Sequence, residues 1–300
     1  MATKATIAEL LTYPVKGCAG VPLTEAELTP AGLPYDRSFM VVGEGGVYRS
    51  QRRDPKLALI RPEIGEEGAY LTLRTAGTAP VRFPVDTASA RVPVDLFGAP
   101  YQGIDQGDAA AGWLSEVLGT ASRLVCVPPE HERIAPGIHP GTSAYADSSP
   151  LHILSRATLD HLNARYTAAG KPSLPMSRFR PNIVVDGWTD PHEEDRARRV
   201  TAGVAELGFA KPAIRCAVTL VDQEAGAKAG PEPLRMLATY RRAPEGGVAF
   251  GALYSVLRTG KLAVGDEFAV VEGAGDKAGG DAGEAGGTGT PPGAGASWTM

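Results

Sequence analysis

Ser38-Phe-Met-Val-Val-Gly-Glu-Gly-Gly-Val-Tyr-Arg-Ser-Gln51 sets two short runs of β-branched and aromatic residues on either side of Gly43-Glu-Gly-Gly46. Such runs around a glycine-rich turn predict a β-hairpin, because glycine accepts the positive φ angles that tight turns demand. The same texture continues outward. Residues 57–60, 69–74, 81–83 and 123–127 are further short apolar runs bounded by turn residues, and each predicts a strand. Between them, Asp108 is positioned to cap a helix over 109–118. Its apolar stripe is Trp113, Leu114, Val117 and Leu118, and Gly119 ends it.

Beyond a Pro-, Gly-, Glu- and His-rich stretch at 128–146, read as a surface loop or domain connection, the pattern resumes. Residues 151–154, 182–185, 215–220 and two runs between 261 and 271 predict strands. Ser155 caps a predicted helix with Leu159, Leu162 and Tyr166 on its core face. Strands outnumber helices and no regular βαβ alternation appears, so the fold class is mainly β with some helix (α+β). The expected organisation is a β-rich unit over 1–130, a second over 131–271, and a Gly/Ala-rich disordered tail over 272–300, where apolar residues are too few to offset ordering.

The 300 residues, 43% hydrophobic and 21% charged, suffice for one large or two modest domains. A net charge of −4 argues against a general nucleic-acid binder or a polybasic membrane-surface protein. No apolar run approaches the roughly 18 residues of a spanning helix, and the first ten residues lack a signal peptide's apolar core. Three cysteines, Cys18, Cys126 and Cys216, cannot all pair and are too far apart for a CxxC site. The expected location is the reducing cytoplasm.

Cys216 is the candidate reactive thiol. Arg215 precedes it, and a guanidinium favours the thiolate, which is both nucleophile and soft-metal ligand. A buried structural cysteine is the alternative. Read as a strand, 215–220 puts Cys216, Val218 and Leu220 on one face. Three basic motifs sit in turns beside predicted strands: Tyr13-Pro-Val-Lys-Gly17, Tyr35-Asp-Arg37 and Arg178-Phe-Arg-Pro-Asn182. Each could hold a phosphate at a sheet's mouth or be solvated surface charge, with Asp36–Arg37 as a structural ion pair. Asp147-Ser-Ser-Pro150 is a turn signature whose hydroxyls and amides suit an anion. The five histidines form no HExxH pair and no GxSxG elbow exists, which argues against a zinc hydrolase or a serine esterase.

Together these motifs resemble the MOSC-domain proteins, specifically the group with an N-terminal MOSC β-barrel domain that includes the mitochondrial amidoxime-reducing component and YcbX-like relatives. The residues that carry the resemblance are Tyr13-Pro-Val-Lys16, Tyr35-Asp-Arg-Ser-Phe39, Asp147-Ser-Ser-Pro150 followed by His152-Ile-Leu-Ser155, Arg178-Phe-Arg-Pro-Asn-Ile-Val-Val185, Arg215-Cys216 followed by Thr219 and Asp222, Leu237-Ala-Thr-Tyr-Arg241 and Val264-Gly-Asp266. They run in the family's order from about residue 7 to residue 271. Gly17 and Ile214 depart from small polar residues that relatives often carry.

The resemblance implies a MOSC-type β-barrel plus an N-terminal β-rich domain, and a molybdenum cofactor. The metal ligand and catalytic position falls on Cys216. Pterin- and phosphate-binding positions fall on Lys16, Arg37, Asp147, Ser148, Arg180, Asn182 and Arg215. The implied activity is reduction of N-hydroxylated compounds. With no cysteine after Cys216 the chain is expected to carry no [2Fe–2S] domain, so electrons come from a separate partner protein; neither a nucleic-acid nor a membrane partner is expected. The alternatives are a molybdenum-cofactor or sulfur carrier and a non-catalytic MOSC binding module. No pyridoxal-phosphate domain is expected. Asp222 is the one candidate proton donor, by nearness in sequence only.

Overall fold

The computed structural model describes residues 4–274. Of the segment read as a disordered tail, Glu272 and Gly273 close a strand, and residues from 275 on lie outside the described residues.

Seven strands close into a barrel. Their order is Ile183–Asp186, Leu151–Ser155, Ala249–Arg258, Ala205–Ile214, Ala197–Ala202, Glu267–Gly273 and Ala5–Thr12, which pairs again with Ile183–Asp186. All neighbours are antiparallel except Leu151–Ser155 with Ile183–Asp186. A parallel pair needs a crossover, which the segment containing helix Arg156–Ala168 supplies. As predicted, the Ser155 hydroxyl accepts the Thr158 N–H at 3.1 Å, and Leu159, Leu162 and Tyr166 are buried. Ile7, Leu10, Ile153, Leu207 and Phe209 fill the barrel, each contributing roughly 1.5–3 kcal/mol by burial. Strand Ala5–Thr12 comes from the chain's first half, so the two sheets do not divide at a single chain position.

The second sheet has the order Val15–Lys16, Phe39–Val42, Arg123–Cys126, Ala99–Asp105, Arg91–Leu96. A separate meander of Arg61–Gly65, Tyr70–Thr75 and Thr78–Pro84 packs beside it. Helix Asp108–Leu118 joins the two: the Trp113 indole donates to the Ala79 carbonyl at 2.7 Å, and Gly119 (φ +72°) ends the helix. Phe39, Met40, Leu57, Leu73, Leu114 and Val125 share one core. Among the described residues no helix is long and apolar enough to cross a membrane.

Five local expectations are corrected. Residues 57–60 belong largely to a 3₁₀ turn, Pro55–Leu59, because Pro55 opens it with φ already helical. Residues 47–51 form no full strand; Tyr48 makes one isolated bridge to Val42, and Val47 turns to Asp95. Asp108 is inside its helix, where its carboxylate takes Arg123 Nη2 at 3.0 Å in place of a cap. The 128–146 segment contains a small ladder, Ile134–Ala135 with Gly141–Thr142. Residues 215–220 are not a strand. Bulges interrupt Ala205–Ile214 around Phe209 to Ile214, and Pro212 has no N–H for the ladder. The chain leaves the sheet at Ile214 and enters a 3₁₀ turn, Ala217–Leu220.

Candidate functional site

The two sheets meet where strand Ala5–Thr12 leaves the barrel through Tyr13-Pro14 and becomes Val15–Lys16 of the second sheet. Val15–Lys16 pairs in parallel with Phe39–Val42, and the Arg37 N–H donates to the Tyr13 carbonyl at 2.8 Å. Lys16 and Arg37 therefore reach the seam on neighbouring segments. From the barrel come Arg180 and Asn182, just before Ile183–Asp186, and Arg215-Cys216, just after the bulged Ala205–Ile214. The 146–150 turn completes the wall. All eight residues that the resemblance assigns to the cofactor line one cleft of about 470 Å³ here: Lys16, Arg37, Asp147, Ser148, Arg180, Asn182, Arg215 and Cys216.

Two of the arginines sit in left-handed backbone, Arg37 at φ +51° and Arg180 at φ +56°. Non-glycine residues rarely accept this conformation, and such strain concentrates where side-chain direction matters. Both guanidinium carbons lie 4.3 Å from the Tyr13 ring centroid, so one buried aromatic orients both cations. Arg37 Nη1 also donates to Asp36 Oδ2 (2.5 Å) and to Asn182 Oδ1 (3.0 Å). The expected Asp36–Arg37 ion pair is present, and it steers the arginine without removing it from the cleft. Arg180 Nη1 donates to Gln223 Oε1 (3.2 Å), and Gln223 exchanges two amide hydrogen bonds with Gln51 (3.0 and 2.8 Å).

Asn182 is buried and fully committed within the protein. Its Nδ2 donates to Leu11 O and Asp36 Oδ1, and its Oδ1 accepts from the His152 N–H and from Arg37. It fixes its neighbours' positions and has no donor left over. Arg215 Nη2 donates to the Phe179 carbonyl at 2.8 Å, while its Nε is buried with no partner. The Ser149 hydroxyl, also in the cleft wall, is a second buried polar atom without a partner. Buried polar groups are normally satisfied, so two orphans on residues that line one cationic cleft fit an anion-bearing ligand.

The Lys16 ammonium, buried, pairs with the Asp147 carboxylate at the solvent-facing rim. Desolvation lowers the Lys16 pKa against the pull of Asp147. Desolvation would raise Asp147, but the Lys16 charge and hydrogen bond, with Arg37 and Arg52 nearby, hold it down to about 2. Asp147 is thus ionised at neutral pH and serves as an acceptor. Burial also lowers Arg180 and Arg215, the strongest opposing pull coming from Tyr13 for the first and Cys216 for the second.

Cys216 is the partly exposed thiol of the three and opens on the cleft. Its carbonyl accepts from the Thr219 N–H (3.1 Å) and hydroxyl (2.9 Å), which turns the chain immediately after it. Cys18 and Cys126 are buried, and desolvation pushes each thiol up to about 12. Among the described residues no group of three or more His, Cys, Asp or Glu is placed to hold a metal. A metal at Cys216 would need its remaining donors from a cofactor.

Sequence reasoning missed several wall residues. His152 belongs to a motif that carries the resemblance but has no site role in the sequence reading; it is buried in the wall, with Nε2 3.4 Å from Arg215 Nη1 and its pKa lowered by desolvation and Arg215. Gly251 (φ +77°) makes room for it, since a Cβ there would come within 2.4 Å of His152 Nε2. Gln51, Tyr48, Arg52 and Phe97 also line the cleft. Asp222 does not: it pairs with Arg178 at 2.9 Å, and backbone N–H groups of Ala225 and Glu224 hold its carboxyl low, so it is no proton donor. Gly17 sits at φ +83°, where a serine would be strained, and its carbonyl accepts Gln51 Nε2 at 2.6 Å.

Two family models match the chain: the MOSC N-terminal beta barrel domain over residues 4–121 and the MOSC domain over residues 140–269. The protein named mitochondrial amidoxime reducing component 2 of Rattus norvegicus is 35% identical over 87% of this chain and 82% of its own. Mitochondrial amidoxime-reducing component 1 of Homo sapiens is 33% identical over 87% of this chain and 81% of its own. The molybdenum cofactor sulfurase of Danio rerio is 31% identical over 83% of this chain but only 32% of its own length.

Proposed function

The chain belongs to the MOSC-domain family, in the arrangement with an N-terminal MOSC β-barrel domain, and on that premise we propose that it is a molybdenum-cofactor-dependent reductase of N-hydroxylated compounds that takes electrons from a separate partner protein. The observation that carries this reading is the meeting of one partly exposed thiol, Cys216, with Lys16, Arg37, Arg180 and Arg215 in a single cleft.

The residues fit the group. When bound, the cofactor would supply two-electron chemistry at a metal already held by sulfur, which suits a soft thiolate as the protein's ligand. Cys216 would provide that ligand. Arg180, Arg215 and Lys16 would neutralise a pterin phosphate through charge-assisted hydrogen bonds, with Arg215 Nε and the Ser149 hydroxyl gaining the partners they lack. The Ser148 hydroxyl would donate, and ionised Asp147 would accept, at the rim. Asn182 and Tyr13 hold Arg37 and Arg180 in place without touching the ligand. The net reaction consumes two electrons and two protons per N–O bond, R–NH–OH becoming R–NH₂ plus water. The protein's share is binding, orientation and exclusion of water.

The test is elemental analysis of protein purified from a cofactor-competent host, followed by turnover of a model amidoxime with an artificial reductant. Stoichiometric molybdenum with turnover is expected; protein without molybdenum overturns the reading. The sulfurase relative and the accessibility of Cys216 favour one second reading, a cofactor carrier, which predicts molybdenum that is readily lost and no turnover.

A further inference from the structure

At the cleft mouth, strands Arg91–Leu96 and Ala99–Asp105 are joined by the two-residue turn Phe97-Gly98. Both residues are left-handed, Phe97 at φ +60° and Gly98 at φ +80°. Two-residue hairpins of this conformation strongly favour Asn-Gly, because asparagine tolerates positive φ and a bulky aromatic does not. The chain nonetheless places phenylalanine there, 44% exposed, with its ring in the wall of the cleft.

The ring is held in a built setting. The Tyr48 ring centroid lies 4.8 Å away at 60°, and the Lys16 ammonium lies 4.8 Å from the Phe97 centroid. Asp95 ties the parts together: its carboxylate accepts the Gly98 N–H (3.0 Å) and its carbonyl accepts the Tyr48 N–H (3.1 Å). Tyr48 is tethered in turn by Arg52. A strained, exposed aromatic pinned at the rim of an otherwise charged cleft is a surface for a flat apolar group. The nearby ammonium and guanidinium groups disfavour a cationic one.

We propose that Phe97 is a specificity-determining residue whose ring, with Tyr48, forms a platform for the flat, uncharged, non-reacting part of the substrate, so that the protein prefers planar aryl substrates to small aliphatic ones. The reactive group of that substrate rests on the function proposed above; the platform does not.

The test compares wild type with Phe97→Asn and Phe97→Tyr in the loaded protein. Phe97→Asn removes the ring and relieves the turn. Its KM for benzamidoxime should rise roughly threefold to tenfold, the range expected for a lost aromatic contact. Its kcat and its KM for acetamidoxime should hold, its thermal midpoint should hold or rise, and Phe97→Tyr should restore the preference. Equal changes for both substrates, or a lowered midpoint in Phe97→Asn, overturn the proposal by making the ring a packing residue. Binding of benzamide, neutral and without an N–O bond, followed by ligand-observed NMR, separates the two ideas. If loaded wild type turns over neither amidoxime, the proposed function fails, and weaker benzamide binding by Phe97→Asn still supports the platform. Unchanged benzamide binding overturns it.

Discussion

Asn182 and Asp36 stand 146 positions apart in the chain and are joined by a 2.9 Å hydrogen bond from Nδ2 to Oδ1. Asn182 leads into a barrel strand, and Asp36 lies in the turn before Phe39–Val42 of the second sheet. The same Asp36 oxygen accepts the Tyr13 N–H at 2.8 Å. One buried carboxylate and one buried amide thus rivet the seam that the cleft occupies.

Asn182→Ala leaves Asp36, Arg37 and two backbone groups short of partners in a buried setting. The expected loss is about 3 kcal/mol of stability, since each orphaned buried group costs about 1–3 kcal/mol. Urea unfolding reads it directly. A midpoint equal to wild type would show that the seam is held elsewhere.

Cys216→Ala removes a partly exposed thiol whose carbonyl, not its sulfur, makes the local hydrogen bonds. With both proteins stripped of cofactor, the thermal midpoint should therefore stay within about 1 °C of wild type, as surface changes of a few tenths of a kcal/mol do. Bound molybdenum and amidoxime turnover should both be lost. Full turnover in this variant refutes the ligand assignment.

Arg180→Gly separates charge from backbone strain. Glycine accepts φ +56° without steric cost, so the turn is relieved while the guanidinium is removed. Cofactor retention after gel filtration should weaken by about 1–3 kcal/mol, the value of a charged hydrogen bond. Equal molybdenum occupancy in variant and wild type would exclude Arg180 as an anion contact.

Glu194 is fully buried, and desolvation raises its pKa to about 7 although the Ser155 and Thr158 hydroxyls donate to it. In the unfolded chain the same carboxyl titrates near 4.5. Between those values the native state holds the extra proton, so this group's contribution is complete below 4.5 and is lost as pH rises toward 7. Glu194→Gln does not titrate there. Relative to it, wild type should lose roughly 1–3 kcal/mol between pH 4.5 and 7.5, read as diverging thermal midpoints. Parallel midpoints across that range would show that Glu194 is not the titrating group.

Much of the site was legible because its cations announce themselves locally. Lys16, Arg37 and Arg180 each sit in a short turn at the edge of a β-branched run, and that pattern survives into the cleft. Asn182 was legible as a position but not as a role, because nothing local shows that its amide is saturated by segments 30 to 171 residues away. The Gln51–Gln223 pair, 172 positions apart, carries no sequence signal at all. The strand assigned to 215–220 failed for a different reason. Alternation describes side-chain chemistry, whereas the bulges and Pro212 that end the ladder depend on neighbouring strands. Phe97-Gly98 did carry a signal: an alternating run from 91 to 96 ending in a two-residue turn with an aromatic where asparagine fits best.

Strand Ala5–Thr12 is the first element of the ring to be synthesised and Glu267–Gly273 the last, yet they sit side by side. While a ribosome still conceals the later one, the ring stays open along that edge, and the earlier one pairs only with Ile183–Asp186 and Val21–Leu23. Closure of the ring therefore waits on the last strand of the described chain, whereas the residues that line the cleft, none later than Leu253, have all been made before it.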